Sequence, residues 1–255
     1  MDLDMESRVV LVTGSSQGIG QAAALAFARE GARVGVTYHA NREKAEAIVE
    51  TIREGGGDAL AVKLDLASTE SIREAVARII ERWSRLDVLV NNAVSWGDRG
   101  PREMPRFEDL SSDAWRGALR ANVEGHFDAI QAVLPSMRAR RWGRILNVSS
   151  GIAVDGMAGA ATYGAAKAAL HGLTRSLSIE LGPAGILVNV VMPGLTLTEG
   201  MTARVPATFL KERAKASPIR RLLAPEEVVP MIVFLCSAAN TAVTGEIIRA
   251  SGGIT

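Results

Sequence analysis

The chain has 255 residues, of which 47% are hydrophobic and 22% charged, and its formal net charge is +1. This length fits one large α/β domain or two small ones. The near-zero charge excludes an overall field that recruits nucleic acid or a membrane, and a single cysteine, Cys236, excludes an internal disulfide. We interpret Cys236, in "MIVFLCSAA", as a small buried apolar residue.

The N-terminus "MDLDMES" is acidic and has no apolar segment, so it does not match a secretion signal. No stretch approaches the ~20 uninterrupted apolar residues of a spanning helix. We therefore expect a soluble, cytoplasmic protein with no membrane or nucleic-acid partner, and we predict no metal site.

Short apolar runs alternate with longer amphipathic runs along the whole chain. They predict helices at 18–31 and 41–56, with further helical segments between the later strands. The predicted strands are 8–14, 32–38, 59–66, 86–93, 143–150, 186–194 and 245–253. Strands that are apolar throughout are buried on both faces, as in a parallel sheet between helices. The pattern predicts one doubly wound α/β domain over residues 1–255, with about seven parallel strands and helices on both faces.

Two segments are less regular than the rest, 94–111 and 194–224. Both follow predicted strands whose carboxyl ends lie at the edge where such folds bind ligands. Irregular segments of this length usually have a functional or lid role. We expect 194–224 to form a substrate loop or lid.

The stretch "TGSSQGIG" (13–20) lies between the first predicted strand and the first predicted helix. Gly14, Gly18 and Gly20 allow a tight turn and close ligand approach, and the N-terminus of the helix offers N–H groups to a pyrophosphate. The spacing is G-x-x-x-G-x-G rather than the commoner G-x-G-x-x-G. A glycine-rich turn without a ligand is the alternative, but the strand–turn–helix context favours a dinucleotide site.

With this loop, the chain resembles the short-chain dehydrogenase/reductase family, Rossmann-type oxidoreductases, over essentially its whole length. The resemblance implies that the loop binds the cofactor diphosphate, that "LDL" contacts adenine and that "NNA" lies beside the nicotinamide ribose. The cofactor-binding residues implied in these segments are Gly14, Ser16, Gln17, Gly18, Ile19, Gly20, Asp65, Leu66, Asn92 and Ala93. Capping of strand-end backbone groups is the plain alternative for Asn91 and Asn92. Val94 stands where the family has a glycine, so the resemblance does not define the backbone path beside the nicotinamide.

The resemblance also implies a catalytic Asn-Ser-Tyr-Lys group, which Asn122, Ser150, Tyr163 and Lys167 match in order. Asn122 is expected inside the long helix after the fourth strand. Tyr163 and Lys167 stand four residues apart in "TYGAAKAAL", so they share one helix face. Ser149 is the alternative to Ser150, but the spacing to the tyrosine favours Ser150.

These residue types suit the reduction of a carbonyl. The alkoxide that forms on hydride transfer needs a proton, and a phenol with an ordinary pKa of ~10 releases its proton poorly at neutral pH. We expect the Lys167 ammonium to lower the pKa of Tyr163 and Ser150 to hydrogen-bond the substrate oxygen. In the family the lysine also binds the nicotinamide ribose, so Tyr163 and Lys167 belong to the cofactor site too, and the asparagine organises a water in a proton relay.

A further family match is "PG" at Pro193 and Gly194 with Thr198 beyond it. The resemblance implies that Thr198 and the backbone near Thr196 contact the carboxamide of the nicotinamide, with the Thr196 side chain as the alternative. The plain interpretation of Pro193 and Gly194 is a strand-to-loop break.

The end of the second strand indicates which nucleotide is bound. Tyr38 occupies the position where NAD-binding folds generally carry an acidic residue. A carboxylate would repel the 2′-phosphate of NADP, whereas His39, Asn41 and Arg42 offer hydrogen bonds or positive charge. Against this, Gln17 stands where many NADP-preferring relatives carry a basic residue, and capping of the next helix by Asn41 is the structural alternative. The sequence predicts NADP(H), with NAD(H) as the alternative.

Within the family, the resemblance is to 3-oxoacyl-(acyl-carrier-protein) reductases and polyketide ketoreductases. We expect a small ketone or alcohol substrate, free or bound to a carrier protein, in a pocket formed by Val94–Trp96, 151–158 and 195–222. Apolar residues of the last segment suit a lid, or else pack on the domain: Met201, Val205, Phe209 and Leu210.

Reductases that act on carrier-bound chains often display arginines beside the active-site mouth. Arg141, in "RARRWGR", fits one such place, while Ala184 stands where its partner is expected. A solvated helix end, favoured by the helix dipole, is the alternative for the arginine run.

Two other functions are compatible with the same motifs. An NAD-linked alcohol or sugar dehydrogenase uses the same four catalytic residues. A non-catalytic dinucleotide-binding regulator typically lacks the tyrosine or the lysine, and both stand here.

The resemblance also concerns assembly. It implies that the helix at about 111–140 and the helix at 161–182 pair across a two-fold axis, and that the last strand contacts another subunit. The run "AALHGLTRSLSIEL" carries apolar residues on more than one helix face. We predict a homotetramer, with a dimer as second choice.

Overall fold

Seven parallel strands form one sheet in a computed structural model that describes residues 2–95, 106–203 and 205–253. The strands are β1 (Val9–Val12), β2 (Arg33–Tyr38), β3 (Ala59–Lys63), β4 (Val88–Asn91), β5 (Gly143–Val148), β6 (Ile186–Pro193) and β7 (Ile247–Ala250). Their order is β3-β2-β1-β4-β5-β6-β7, so the chain reverses direction across the sheet between β1 and β4. The predicted doubly wound α/β fold is confirmed, and the point of reversal is where such sheets bind ligands.

Helices cover both faces of the sheet. In the described residues they are α1 (Gly18–Arg29), α2 (Arg42–Glu54), α3 (Thr69–Trp83), α4 (Ser112–Leu119), α5 (Gly125–Arg140), α6 (Ile152–Asp155), α7 (Ala161–Leu181), α8 (Glu199–Thr202), α9 (Ala207–Ala216) and α10 (Pro225–Cys236). Within these ranges no helix is both long and apolar enough to cross a membrane.

The side chains of β1 alternate between the two faces of the sheet, and both faces are covered by helices. Val10 and Val12 pack with α1, α2 and α10 on one face, while Val9 and Leu11 pack with α3 and α5 on the other. All four side chains are fully buried. Successive side chains of a strand point to opposite faces, so a strand between two helical layers needs apolar residues at every position. Cys236 is buried in the first of these layers, as predicted.

Asn122 lies inside the long helical segment after β4, as predicted, but this segment is not a regular α-helix throughout. A π-helical turn, Arg120–Glu124, separates α4 from α5, and Asn122 lies at its centre. The Asn122 side-chain amide donates to the Ala118 carbonyl over 3.0 Å. That carbonyl is the one a regular α-helix would give to the Asn122 N–H, so the side chain competes with the backbone ladder where the helix widens.

The predicted strands extend past the observed ones at their carboxyl ends. Thr13, Asn92, Ser149 and Gly194 each lie just beyond the observed end of β1, β4, β5 or β6. Because the strands are parallel, these ends meet at one edge of the sheet, and the segments that leave them surround a single site. The predicted lid, 194–224, contains α8 and α9 rather than only irregular chain.

Candidate active site

The glycine loop between β1 and α1 is packed too closely for side chains at two positions. Gly14 has φ of +64°, and a Cβ there would lie 2.8 Å from the Ala93 Cα. A Cβ on Gly20 would meet the Gly14 carbonyl and would lie 2.5 Å from the Asn92 Nδ2. The loop therefore lies directly on the segment that follows β4.

Thr13 and Asn92 join these two segments through hydrogen bonds. The Thr13 hydroxyl accepts from the Asn92 N–H at 2.9 Å and the Ala93 N–H at 3.0 Å. The Asn92 amide donates to the Thr13 carbonyl at 2.9 Å and the Gly14 carbonyl at 3.2 Å. The Gly14 N–H donates to the Thr37 hydroxyl at 2.8 Å. Sequence reasoning assigned no role to Thr13 or Thr37, although Thr13 stands in the quoted loop motif.

The start of α1 fits the anionic diphosphate of a dinucleotide. Its N-cap, Gln17, is exposed and makes no side-chain hydrogen bond to the helix, whereas Asn41 caps α2 and Ser68 caps α3. The first-turn N–H groups of α1 are thus not capped by a side chain. Ser16 and Ile19 lie in the same partly exposed turn. These residues, with the two closely packed glycines, would hold the phosphates.

Beyond β2, the residues expected near the adenosine ribose lie together. Tyr38 is half-buried at the strand end, and the His39 Nε2 lies 3.7 Å from the Asp65 Oδ2. The Asn41 side chain accepts from the Lys44 N–H at 3.4 Å, so the capping alternative is observed. Arg42 is exposed and pairs with Glu46 at 3.3 Å.

The residues of "LDL" differ in exposure. Asp65 is partly exposed, and its carboxylate accepts from the Ala67 N–H at 2.9 Å. The Leu66 side chain is buried in the core beneath α5. The expectation that Leu66 contacts cofactor is therefore limited to its backbone, because its side chain faces the protein interior.

Ser150, Tyr163 and Lys167 come together beyond the carboxyl end of β5. Ser150 makes a side-chain hydrogen bond to Tyr163. The Lys167 Nζ lies 5.9 Å from the centroid of the Tyr163 ring and donates to the Val148 carbonyl at 2.8 Å. The Lys167 side chain is buried inside the fold rather than solvated on the helix surface.

Burial dominates the ionisation of this group. It raises the pKa of Tyr163, and the Ser150 hydrogen bond acts in the opposite direction. Burial also lowers the pKa of Lys167 to about 8. The net pKa of Tyr163 is therefore raised rather than lowered as predicted, because desolvation disfavours the phenolate more than the Ser150 hydrogen bond favours it.

Ser149 has a different environment from Ser150. Its buried hydroxyl donates to the Lys167 carbonyl at 3.2 Å and contacts the His171 Nε2 at 2.8 Å. It thus connects β5 to the interior of α7, while Ser150 lies on the tyrosine side, in line with the spacing argument.

The Asn122 side chain holds the segment after β4. Its oxygen accepts from the Ser95 N–H at 2.8 Å, and its amide donates to the Ser95 carbonyl at 2.8 Å. The Asn122 side chain thus joins the helix to the segment after β4, and its part in a proton relay stays a prediction. Val94 does not have a positive φ, so the side chain that replaces the family glycine causes no backbone strain there. Trp96, predicted to line the pocket with Val94, lies outside the described residues.

A buried histidine adjoins this group and was not singled out from the sequence. The His126 Nε2 lies 3.1 Å from the Ala93 carbonyl, which makes that nitrogen the donor. Burial, and then the positive charge of Lys167, lower the pKa of His126 to about 3. A neutral imidazole thus anchors the peptide beside the glycine loop.

Beyond β6, Thr196 and Thr198 face different surroundings. The Thr196 hydroxyl is buried and donates to the Gly194 carbonyl at 3.1 Å. Thr198 caps α8, and its methyl group would lie 3.2 Å from a Cβ on Gly18. Thr198 therefore lies against the glycine loop. Pro193 ends β6, and Gly194 packs against Ser251.

The lid segment buries little of its surface. None of the side chains of α9 is buried, and Phe209 is 45% exposed. Met201, Val205 and Leu210 are partly buried. Packing of this segment against the domain, one of the two alternatives offered by the sequence, is thus only partial.

Arg141 lies at the wrong end of the sheet for the role expected of it. It precedes β5, whereas Ser150 follows the same strand, so the two stand at opposite edges. Its guanidinium donates to the Pro183 carbonyl at 3.0 Å, next to Ala184. Within one chain, neither position lies beside the mouth of the site, and the helix-end interpretation is correct.

Comparisons with known proteins agree with this geometry. A family profile described as enoyl-(acyl carrier protein) reductase matches residues 14–255. The chain is 37% identical over 255 residues to a 3-oxoacyl-(acyl-carrier-protein) reductase of Aquifex aeolicus, covering 100% of both chains. The chain belongs to the short-chain dehydrogenase/reductase family. As a member of this family it is an oxidoreductase.

Other relatives support the same assignment. A 3-oxoacyl-(acyl-carrier-protein) reductase of Staphylococcus aureus is 34% identical over 97% of this chain and 98% of its own length. Among solved structures, a 7α-hydroxysteroid dehydrogenase in complex with NADH and 7-oxo glycochenodeoxycholic acid has a TM-score of 0.91 at 31% identity, covering 99% of this chain and 96% of its own. A dehydrogenase/reductase from Sinorhizobium meliloti has a TM-score of 0.89 at 30% identity, with the same coverage.

Proposed function

We propose that this protein is an NADPH-dependent ketoreductase that transfers hydride to the ketone carbonyl of a polyketide-type or 3-oxoacyl substrate. The observation that carries the proposal is the hydrogen-bonded pair of Ser150 and Tyr163 above a buried lysine, Lys167, at the same sheet edge as the glycine loop. This arrangement holds a proton donor beside the place where the nucleotide would lie.

The bound nicotinamide supplies the hydride, and the protein supplies the proton. Burial raises the pKa of Tyr163, so its phenol is protonated at neutral pH and is suited to donate to an alkoxide. Ser150 can hydrogen-bond the same oxygen as charge develops on it. With a pKa of about 8, Lys167 is mostly an ammonium at neutral pH. Its positive charge would stabilise the Tyr163 phenolate that remains after the proton has been donated.

The preference for NADPH rests on the end of β2. Tyr38 brings no carboxylate there, and His39 and Arg42 are exposed beside it. We expect Tyr38→Asp to reverse a roughly tenfold preference, which corresponds to about 1.4 kcal/mol of differential binding. Steady-state kcat/KM with each nucleotide tests this. Equal values, or a native preference for NADH, would contradict the assignment.

Exposed apolar side chains around the site support an apolar substrate. Large apolar residues at least 38% exposed stand on the segments that leave the carboxyl ends of β4, β5 and β6: Phe107, Val154, Met157, Leu197, Phe209 and Ile219. Exposed apolar side chains on the segments around a ligand site are available to contact an apolar ligand. The names of the relatives indicate 3-oxoacyl groups, and the solved relative holds a polycyclic ketone. We propose that the ketone is apolar and either free or bound to a carrier.

The test of this function is the consumption of NADPH with a panel of ketones. The panel includes 3-oxoacyl thioesters, the corresponding carrier-protein thioesters, polycyclic ketones and short polar ketones. We expect turnover of an apolar member and little with the polar ones. Binding of NADPH without turnover of any member would instead favour a dinucleotide-binding regulator.

An NAD-linked alcohol or sugar dehydrogenase is the second candidate, because Gln17 brings no positive charge to the glycine loop and Asn41 is engaged in capping α2. Faster oxidation of an alcohol with NAD⁺ than reduction of any ketone with NADPH would favour it.

We also propose a homotetramer. Phe127 on α5 and Ile179 on α7 are 45% and 80% exposed, and both helices belong to the pair expected at a two-fold interface. Sedimentation at micromolar concentration should give four times the chain mass of 27.0 kDa. A mass near one chain would exclude the proposal.

A further inference from the structure

An ion pair joins the last strand to the turn that follows Ser150. The Arg249 guanidinium donates to both carboxylate oxygens of Asp155, over 2.7 Å and 2.6 Å. The two residues stand 94 positions apart in the chain, and each side chain is 30% exposed. A bidentate pair of this kind fixes the direction of both side chains as well as their separation.

Arg249 reaches this pair from a rigid position. It belongs to β7, where it is paired in register with Met192 of β6. The next residue, Ala250, accepts a hydrogen bond from the Gly194 N–H at 3.3 Å. The guanidinium therefore projects from the sheet edge at which β6 ends.

Asp155, by contrast, ends the short helix α6, which lies near the surface of the protein. None of the side chains of α6 is buried, and its N-cap makes no side-chain hydrogen bond. Its inner contact is with α7, where a Cβ on Gly164 would lie 3.5 Å from the Ile152 side chain. Gly164 follows Tyr163 directly.

The first residues of this turn are hydrogen-bonded to Ser150, and the later ones to Gly151 and Ile152. The Ile152 N–H donates to the Ser150 hydroxyl at 3.3 Å, and the Ala153 N–H donates to the Ser150 carbonyl at 3.0 Å. Gly151 packs on the ion pair itself, since a Cβ there would lie 3.2 Å from the Asp155 Oδ2 and 3.7 Å from the Arg249 Nη1. Movement of Asp155 is thus transmitted to Ser150 through one helical turn.

We propose that Asp155 and Arg249 are positioning residues for the reaction: their ion pair fastens α6 to β7 and so holds the Ser150 hydroxyl toward Tyr163 and the carbonyl being reduced. The inference rests on the proposed function for its catalytic meaning. Most exposed ion pairs contribute little to stability. The pair of Asp155 and Arg249 instead fixes the position of α6, because it connects a turn without buried side chains to β7.

A double-mutant cycle on turnover tests the proposal. Asp155→Asn and Arg249→Gln should each lower kcat by ~10-fold, the scale of a catalytic group displaced by a fraction of an ångström, with less change in the KM for NADPH. The double variant should be no slower than either single variant, because each change removes the same contact. Arg249→Lys keeps the charge but loses the bidentate geometry, so its kcat should lie between that of the native protein and that of Arg249→Gln. Full activity of both single variants, or additive losses, would overturn the proposal.

Hydrogen exchange separates this inference from the proposed function. Amides of residues 150–156 should exchange faster in Asp155→Asn and Arg249→Gln than in the native protein, whether or not a ketone is turned over. Arg82→Gln serves as the control, since it removes an ion pair to Asp58 at the far edge of the sheet. If the native protein reduces no ketone, the proposed function fails while the exchange result still decides whether the pair holds α6. Unchanged exchange at 150–156 would overturn the inference.

Discussion

At the glycine loop, hydrogen bonds converge on Thr13 and Asn92 and close packing excludes side chains from Gly14 and Gly20. In the segment that follows β6, by contrast, α9 buries none of its side chains, and Phe209 is 45% exposed. The first region is fixed by backbone contacts that leave little room for substitution. The second is free to change its side chains without disturbing the sheet. Hydride chemistry and substrate choice can therefore vary independently on this scaffold.

The largest effect should come from Tyr163→Phe, on the border between the two regions. This change keeps the ring and removes only the proton donor, so kcat should fall by ~100-fold or more. The measurement is single-turnover reduction of the best ketone, with the Kd of the nucleotide as the control. Ser150→Ala should also slow turnover, whereas Ser149→Ala, on the interior side, should affect stability more than rate. Near-native kcat in Tyr163→Phe would refute the mechanism.

Gly20→Ala tests the rigidity of the nucleotide region. The added methyl group would meet the Gly14 carbonyl and the Asn92 amide, so we expect a loss of ~1–3 kcal/mol in the free energy of unfolding and a weaker nucleotide Kd. Gly117→Ala is the matched control, because it also lies in a helix but has nothing within 4 Å of the added atom. It should raise stability by ~0.5–1 kcal/mol. Equal effects of the two changes in urea unfolding would disprove the packing argument.

The buried lysine makes stability depend on pH. In the folded chain Lys167 loses its proton near pH 8, but in the unfolded chain only near 10.5. Between these values the unfolded state binds more protons, so the free energy of unfolding should rise with pH. Relative to Lys167→Met, the native protein should gain about 2 kcal/mol between pH 8 and 10. Chemical denaturation at each pH measures the gain. A constant difference between the two proteins would show that the ammonium is not desolvated.

Phe209→Ala should have the smallest effect and should be confined to the substrate. We expect the KM for an apolar ketone to rise by ~3- to 10-fold, the equivalent of one partly buried aromatic contact, while the nucleotide Kd and the unfolding free energy stay the same. Met231→Ala, an exposed apolar change on α10, is the control. A large loss of stability in Phe209→Ala would mean that α9 belongs to the core rather than to the lid.

The sequence predicted the fold well because the inner strands are buried on both faces and the glycines of the loop are needed by its close packing. It also predicted that Ser150 rather than Ser149 faces the tyrosine, from the number of residues between the serine and Tyr163. It failed where the outcome depends on competition between effects. The pKa of Tyr163 is controlled by burial, which no spacing reveals, and the π-helical turn at Asn122 arises from a side chain that takes a backbone acceptor.

Other predictions were wrong or too broad because the family pattern assigned roles to single residues without regard to their place in the fold. Arg141 matches a position expected from the family. It precedes β5, however, whereas Ser150 follows that strand, so the two residues lie at opposite edges of the sheet. Leu66 follows Asp65 in the chain, but its side chain is buried in the core, so only its backbone can contact a cofactor. The ion pair of Asp155 and Arg249 joins distant segments that no sequence motif connects. The single-domain bounds, the tetramer and the cytoplasmic location stay predictions.

The hydrogen bonds of Thr13, Asn92 and Thr37 also have a consequence for the kinetics of nucleotide binding. The loop needs no folding around the phosphates, because its shape is already maintained by contacts within the protein. The conformational entropy of ordering it is lost when the chain folds rather than when the ligand binds. Association should therefore be a single bimolecular step, with a rate that rises linearly with nucleotide concentration and shows no plateau in stopped-flow traces.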